Sequence, residues 1–185
     1  MGFLERYRPD VIVPRLEFLD QNDLWARGVR GVILDLDNTI CYWHGSEPGP
    51  QRRDWIAQAR QRFSLCILSN TIKGRRLRAI GEDLGLPTVA RWAYGRKPMA
   101  EGFRAAMRYT GTAPAATAMV GDQLLTDIAG ANRLGMTSVW VLPLSRREFV
   151  TTKLARAMER GIVRRLGIEL GPCRQAAEEA PDGHC

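Results

Sequence analysis

Short apolar runs alternate along the chain with longer stretches in which apolar residues recur at helical spacing. The apolar runs predict strands at about 32 to 36, 65 to 69, 87 to 90, 117 to 121 and 137 to 142. The helical spacing predicts helices between them, at about 51 to 62, 73 to 84, 98 to 109 and 123 to 134. Because strands that alternate with helices pair in parallel, this order predicts an α/β fold with a parallel sheet of about five strands.

Two carboxylates follow the first of these apolar runs. Asp35 and Asp37 lie two positions apart directly after Gly31-Val32-Ile33-Leu34, so both side chains fall on the same side of the strand end. An unpaired charge in line with a buried strand is costly, which indicates that a cation or hydrogen bonds compensate Asp35. Thr39 and the free amides of the next turn are suited to hold phosphate oxygens. The segment therefore indicates a site where one phosphate and one cation meet two carboxylates.

Polar residues also stand at the ends of later elements. Ser69 and Asn70 end the second predicted strand, Lys97 comes just before a predicted helix, and Asp122 and Asp127 follow the apolar run at 117 to 121. In an open parallel sheet ligands bind beyond the carboxyl ends of the strands, where all of these residues fall. Each residue type alone is ordinary in turns and helix caps. Their combination, in this order, is what indicates a catalytic site.

These segments resemble the four motifs of the haloacid-dehalogenase (HAD) superfamily of phosphohydrolases. The resemblance implies a Rossmann-like three-layer sandwich and an aspartyl-phosphate intermediate. Asp35 would attack phosphorus, while Asp37 would protonate the leaving alkoxide and then deprotonate the attacking water. Lys97 and a magnesium ion would offset the repulsion between the anionic nucleophile and the phosphate.

The same resemblance implies a set of ligands for the metal and the phosphate. Magnesium would be held by Asp35, the main-chain carbonyl of Asp37, and Asp122, because it prefers oxygen ligands. Asp127 would be a more distant or alternative metal contact. Contacts to the phosphate and the rest of the substrate are expected from three polar side chains, those of Thr39, Ser69 and Asn70.

The intervals between the motifs bear on the size of the substrate. HAD enzymes that act on small metabolites often carry a cap domain inserted between motifs. Here the intervals from 40 to 63 and from 71 to 96 hold little more than one helix each, which leaves no room for a large cap. We therefore expect an open site that suits a bulky substrate, a headgroup at a membrane, or closure by another subunit.

Further segments resemble the YqeG-type HAD subclass IIIA phosphatases, which are related to the mitochondrial phosphatidylglycerophosphate phosphatases. They are Arg8-Pro9-Asp10, Gly28-Val29-Arg30-Gly31, the string from 121 to 127, and the basic segment after Pro143. This resemblance implies that the substrate is phosphatidylglycerophosphate, an anionic phospholipid, and that the product is phosphatidylglycerol. Two alternatives stay open at this point: a phosphatase of a soluble sugar or nucleotide phosphate, and a noncatalytic module that binds nucleic acid or protein.

The net charge of +7 predicts anionic partners, and the basic residues cluster near the C-terminus. A basic amphipathic helix is predicted at about 146 to 166. Its apolar stripe comprises Val150, Leu154, Met158, Ile162 and Leu166, opposite Lys153, Arg156, Arg160 and Arg164. Such a helix either lies on an anionic membrane or packs its stripe on the sheet and leaves the arginines solvated.

The length of 185 residues fits one domain, which we place at 1–170, followed by a disordered tail at 171–185. The chain contains neither an apolar stretch long enough to cross a bilayer nor a start typical of a secretion signal. These features predict a cytoplasmic protein or one bound to the cytosolic face of a membrane. Four cysteines without a CxxC pair are expected to be free thiols.

Overall fold

The computed structural model describes residues 4–43, 45–143, 150–171, 173 and 175, with the side chains of Trp92 and residues 150–156 left undescribed. Its centre is one sheet in which every neighbouring pair of strands is parallel. The sheet order is β1-β6-β5-β2-β3-β4, with bounds Val11–Val13 (β1), Gly31–Leu34 (β2), Ser64–Ser69 (β3), Thr88–Ala90 (β4), Thr117–Gly121 (β5) and Thr137–Val141 (β6). The predicted parallel α/β sheet is confirmed.

Seven α-helices are described in these residues: Gln21–Ala26 (α1), Pro50–Ala59 (α2), Gly74–Leu84 (α3), Arg91–Tyr94 (α4), Ala100–Thr110 (α5), Ala129–Leu134 (α6) and Val150–Arg165 (α7). A π-helical turn, Leu124–Ile128, leads into α6. The prediction for α3 was close, because Leu77, Ile80 and Leu84 are buried and Gly85 ends the helix at φ +64°. The next predicted helix starts later than expected, at Ala100 instead of 98.

Apolar side chains pack on both faces of the sheet. Alternate residues of β2 divide between the two faces, Val32 and Leu34 on one and Ile33 on the other. The first face is covered by apolar residues of α2 and α3, including Trp55, Ile56, Leu77 and Ile80. The second is covered by residues of α5 and α6, including Phe103, Ala106 and Ala131. The molecule therefore has the three layers expected of a Rossmann-like sandwich.

The edge strand β1 was not predicted. It has only three residues and pairs in parallel with β6. Its position is fixed by Asp10, whose carboxylate accepts hydrogen bonds from the main-chain N–H and the hydroxyl of Ser138, at 2.8 and 3.0 Å. A strand this short has too few residues for a recognisable alternation, so its pairing depends on contacts far apart in sequence.

The C-terminal helix α7 packs part of its apolar stripe against the protein. Ile162 and Leu166 are buried in a cluster with Trp140 and Leu142, whereas Met158 is exposed. Arg160 and Arg164 are also exposed. Of the predicted helix at 146 to 166, positions 146–149 and the side chains of Val150, Lys153, Leu154 and Arg156 lie outside the described residues.

Most of the predicted tail at 171–185 also lies outside the described residues, including Cys185. Cys173 is described, and its thiol lies 3.8 Å from the main-chain carbonyl of Ile12. Cys41, Cys66 and Cys173 are free thiols, as predicted, and burial raises the pKa of Cys41 and of Cys66 to about 12. Within the described ranges, none of the helices has the length and apolar character needed to cross a bilayer.

Close packing between α5 and α6 depends on a glycine. A Cβ at Gly130 would overlap the ring of the fully buried Phe103. We expect Gly130→Ala to lower the free energy of unfolding by about 1–3 kcal/mol, because overpacking outweighs the better helix propensity of alanine. Urea denaturation measures the effect. Gly161→Ala in α7 is the matched control, since nothing lies within 4 Å of its Cβ position; equal stability of both variants would refute this account of the contact.

Candidate active site

The predicted site residues from two adjacent strands meet at the carboxyl edge of the sheet. Strands β2 and β5 are neighbours, with Leu34 in register with Val120. Asp35 and Asp122 follow the ends of these strands, and the Asp35 N–H donates to the carbonyl of Val120 at 2.9 Å. Both carboxylates are buried. The parallel pairing therefore brings together two acids that are far apart in sequence.

A third buried acid, Asp127, completes a cluster with Asp35 and Asp122. One carboxylate oxygen from each lies within 4.8 Å of the others. Burial raises the pKa of the Asp35 carboxyl well above its ordinary value, and the charges of Asp127 and Asp122 add to the effect, while Lys97 opposes it. Magnesium takes oxygen ligands and is commonly held by one or two carboxylates together with waters and phosphate oxygens, which this cluster can supply. The residues present therefore fit the ion that the sequence analysis implied.

Lys97 is the cation of this cluster. Its Nζ donates to Asp35 Oδ1 at 2.6 Å, lies 2.7 Å from Asp127 Oδ1, and donates to the main-chain carbonyl of Leu68 at 2.9 Å. Only 2% of its side chain is exposed. Burial by itself lowers the pKa of Lys97, but the charges of Asp127 and Asp35 raise it overall, so the group is an ammonium.

Asn70 holds the main chain of Lys97 in place. Its Oδ1 accepts from the Lys97 N–H at 2.8 Å, and its Nδ2 donates to the Lys97 carbonyl at 3.2 Å. The amide that was predicted to position substrate is thus bonded to the segment that carries the lysine. A direct contact between Asn70 and substrate stays a prediction.

Asp127 lies closer to the centre of the site than the sequence indicated. Its side chain is fully buried, and its Oδ2 accepts from the N–H of Gln123, the residue before the π-helical turn, at 3.1 Å. A Cβ at Gly121 would overlap the Asp127 carboxylate. The glycine at the end of β5 therefore lets this acid approach the strand end.

Buried polar atoms without partners lie in the turn after Asp37. The Thr39 hydroxyl and the Asn38 Oδ1 have no hydrogen-bond partner in the described part of the chain. Asn38 adopts φ +63°, which gives this turn a left-handed residue. An unmade buried hydrogen bond costs about 1–3 kcal/mol, so a ligand with polar atoms would relieve this turn.

Ser69 is also buried, and its Oγ accepts from the Thr71 N–H at 3.1 Å. Because Ser69 still has its hydroxyl proton to donate, this arrangement is compatible with a contact to a phosphate oxygen. Its predicted role, like that of Thr39, stays a prediction.

Asp37 stands apart from the three clustered acids. Its Oδ1 pairs with Arg76 Nη1 at 2.9 Å, and 13% of its side chain is exposed. Arg76 lies in a run of basic residues at the start of α3 and was not predicted as a site residue. The two partners are 39 positions apart, so no local pattern in the sequence signals their contact.

A family model described as HAD-hydrolase-like matches residues 94–147. The chain is 32% identical over 158 residues to the Bacillus subtilis protein named Probable phosphatase YqeG, a match that covers 85% of this chain and 90% of that protein. It is 29% identical over 146 residues to the chloroplastic phosphatidylglycerophosphate phosphatase 1 of Chlamydomonas reinhardtii. That match covers 74% of this chain but only 53% of the algal protein, so the chain spans about half of its length.

Solved structures support the fold. A crystal structure of an uncharacterized protein from Corynebacterium glutamicum superposes with a TM-score of 0.52 at 18% sequence identity. The match covers 72% of this chain and 94% of that one. At this level of identity the similarity concerns the fold alone.

The ammonium of Lys97 should stabilise the folded protein, because without it the carboxylates of Asp35 and Asp127 would be buried and unpaired. In the absence of divalent cations at neutral pH, we expect Lys97→Met to lower the free energy of unfolding by about 3–5 kcal/mol. Adding Asp127→Asn should restore part of that loss, because it removes one of the repelling charges. Urea denaturation of the single and double variants, with Lys73→Met at an exposed position as control, measures both effects. Additive losses would contradict this electrostatic account.

Proposed function

Because the chain belongs to the HAD-like phosphatase family, in the group of the Bacillus subtilis YqeG protein, we propose that it hydrolyses the phosphomonoester of phosphatidylglycerophosphate with the help of magnesium. The observation that carries the chemistry is the contact of Lys97 Nζ with both Asp35 and Asp127, beside Asp122. This arrangement provides a nucleophile, a fixed positive charge and oxygen ligands for a cation at one edge of the sheet.

Asp35 is the nucleophile. Its carboxylate oxygen forms a bond to phosphorus while the ester bond to the leaving oxygen breaks, which gives an aspartyl-phosphate. The hydrogen bond from Lys97 fixes the orientation of Asp35 and offsets the repulsion that the incoming phosphate experiences. A magnesium ion, when bound by Asp35, Asp122 and the carbonyl of Asp37, supplies further positive charge to the phosphate oxygens.

Asp37 moves the protons. It donates a proton to the leaving alkoxide in the first step, and in the second it accepts one from the water that attacks the aspartyl-phosphate. Its carboxylate is suited to this work because it is partly exposed and is not one of the three clustered acids. The hydroxyls of Thr39 and Ser69 donate hydrogen bonds to the phosphate oxygens.

The choice of a lipid substrate has three supports. One relative is named as a phosphatidylglycerophosphate phosphatase. Between β2 and β3 and between β3 and α5, the described residues contain α2 and α3, which pack on a face of the sheet, and otherwise elements of three or four residues, so no described cap domain separates the carboxyl edge from a large substrate. Exposed Arg160 and Arg164 on α7 provide positive charge for an anionic surface. A soluble sugar or nucleotide phosphate is the alternative, and it would make activity independent of lipid.

We expect Asp35→Asn to abolish magnesium-dependent phosphate release, because a neutral amide is a poor nucleophile. The measurement is phosphate release from phosphatidylglycerophosphate, with sugar phosphates and nucleotides tested in parallel to define the substrate. Asp54→Asn, at an exposed position on α2, is the matched control and should keep wild-type activity. Turnover by a folded Asp35→Asn variant at the wild-type rate would remove Asp35 from the nucleophilic role.

Arg160 and Arg164 should promote binding to anionic membranes without taking part in chemistry. Since a basic residue near an anionic surface contributes about 1 kcal/mol, replacing both by Gln should weaken binding to phosphatidylglycerol vesicles about ten- to thirtyfold at low salt. Hydrolysis of a small soluble phosphomonoester should not change. Replacing Arg104 and Arg108, which are exposed on α5, by Gln is the control. If vesicle binding by the α7 variant equals that of the wild type, the arginines are merely solvated.

A further inference from the structure

Arg76 links the proposed acid/base residue to the loop that follows it. From the first turn of α3, its Nη1 donates to Asp37 Oδ1 at 2.9 Å, and its Nε donates to the main-chain carbonyl of Gly45 at 2.7 Å. The side chain is 12% exposed, so the guanidinium is largely removed from water. Neighbouring Arg75 and Arg78 on the same helix are exposed. Arg76 is therefore the basic residue of this helix that is built into the site.

One amino group of this guanidinium makes no hydrogen bond to the described residues. The Nη2 atom of Arg76 is buried and has no hydrogen-bond partner among the residues that the structure describes. Because Nη2 shares its carbon with Nη1, which bonds to Asp37, it lies beside the acid/base residue. Leaving the donors of a buried charged group without an acceptor is costly. The position therefore calls for an acceptor, and a guanidinium is suited to a phosphate oxygen in particular.

We propose that Nη2 of Arg76 binds a second anionic group of the substrate, a phosphodiester on the alcohol that leaves. The inference rests on the proposed function, in which Asp37 protonates the leaving oxygen. To protonate the leaving oxygen, Asp37 must face the alcohol that leaves, so this alcohol lies beside Asp37. Nη2 of Arg76 is beside Asp37 as well. A substrate whose alcohol carries a phosphodiester a few atoms from the scissile bond would place that anion beside Arg76. Arg76 is then a residue that determines specificity.

This assignment explains how an open site selects its substrate. Because the described residues form no large cap, few side chains among them can surround the leaving group. A guanidinium already fixed by Asp37 and Gly45 loses little conformational entropy when it binds an additional oxygen. Discrimination then comes from one preorganised charge, whereas the exposed arginines of α3 would attract every anion alike.

Two soluble substrates isolate the phosphodiester. Deacylated phosphatidylglycerophosphate and glycerol 3-phosphate both release inorganic phosphate from a glycerol carbon, but only the first carries a phosphodiester. We expect Arg76→Gln to lower kcat/KM for the first by about ten- to hundredfold, the effect of losing one charge-assisted hydrogen bond, and mainly through KM. The decrease in kcat/KM for glycerol 3-phosphate should be several times smaller. The variant should therefore lose most of the wild-type preference for the substrate that carries the phosphodiester.

A binding measurement separates this inference from the proposed function. Glycerophosphoglycerol carries the phosphodiester and lacks the phosphomonoester, and calorimetry follows its binding without turnover. The wild type should bind it, and Arg76→Gln should bind it about ten- to hundredfold more weakly. If the wild type hydrolyses neither substrate, the proposed function fails. The comparison of glycerophosphoglycerol binding by the wild type and by Arg76→Gln then still decides whether Arg76 binds the phosphodiester.

The controls keep the test specific. Arg75→Gln and Arg78→Gln should preserve both the preference and the binding, and Arg76→Lys should fall between Gln and the wild type, because lysine cannot serve Asp37 and a second anion in the same geometry. Circular dichroism and urea denaturation confirm that each variant folds. Equal fold losses of kcat/KM on both substrates would show that Arg76 only positions Asp37, and kcat/KM values equal to those of the wild type on both would show that it contacts no substrate. Either result overturns the proposal.

Discussion

The ammonium of Lys97, held between the carboxylates of Asp35 and Asp127, is the interaction on which the site depends. Each of the three groups would be costly to bury alone, and together they are tolerated because their distances are short and further hydrogen bonds complete them. Asp122 lies in the same cluster, so three carboxylates meet one ammonium. If all three acids are ionised, two negative charges remain, and a divalent cation is the ion that balances them.

The fold is arranged to keep these charges together. Parallel pairing of β2 with β5 brings the ends of the two strands side by side, and the absence of a side chain at Gly121 admits the Asp127 carboxylate. The side chain of Asn70, which follows β3, accepts a hydrogen bond from the Lys97 N–H and donates one to the Lys97 carbonyl. The ends of β2, β3 and β5 thus each contribute either a charge or the group that positions one. The sheet topology favours a site at this edge, because ligands of open parallel sheets bind beyond the carboxyl ends of the strands.

Much of this was predictable because the signals are local. Asp35 and Asp37 follow an apolar strand at a spacing of two, and Leu77, Ile80 and Leu84 repeat at helical spacing. Contacts between distant segments gave no such signal. The three-residue β1 is fixed by Asp10 and Ser138, which are 128 positions apart, and the pairing of Asp37 with Arg76 joins two separate elements. Arg76 was not predicted as a site residue, because only the folded chain shows which member of a basic run turns inward.

Covalent capture of the intermediate tests the central claim, that Asp35 is activated within this charge cluster to attack phosphorus. Borohydride reduces an aspartyl-phosphate to homoserine, and peptide mass spectrometry locates the change. Protein quenched during turnover with magnesium and phosphatidylglycerophosphate should contain homoserine at position 35 and at no other aspartate, and protein without substrate should contain none. Homoserine at another aspartate, or none at position 35 when the intermediate is trapped under the same conditions in a phosphatase known to form one, would contradict this account.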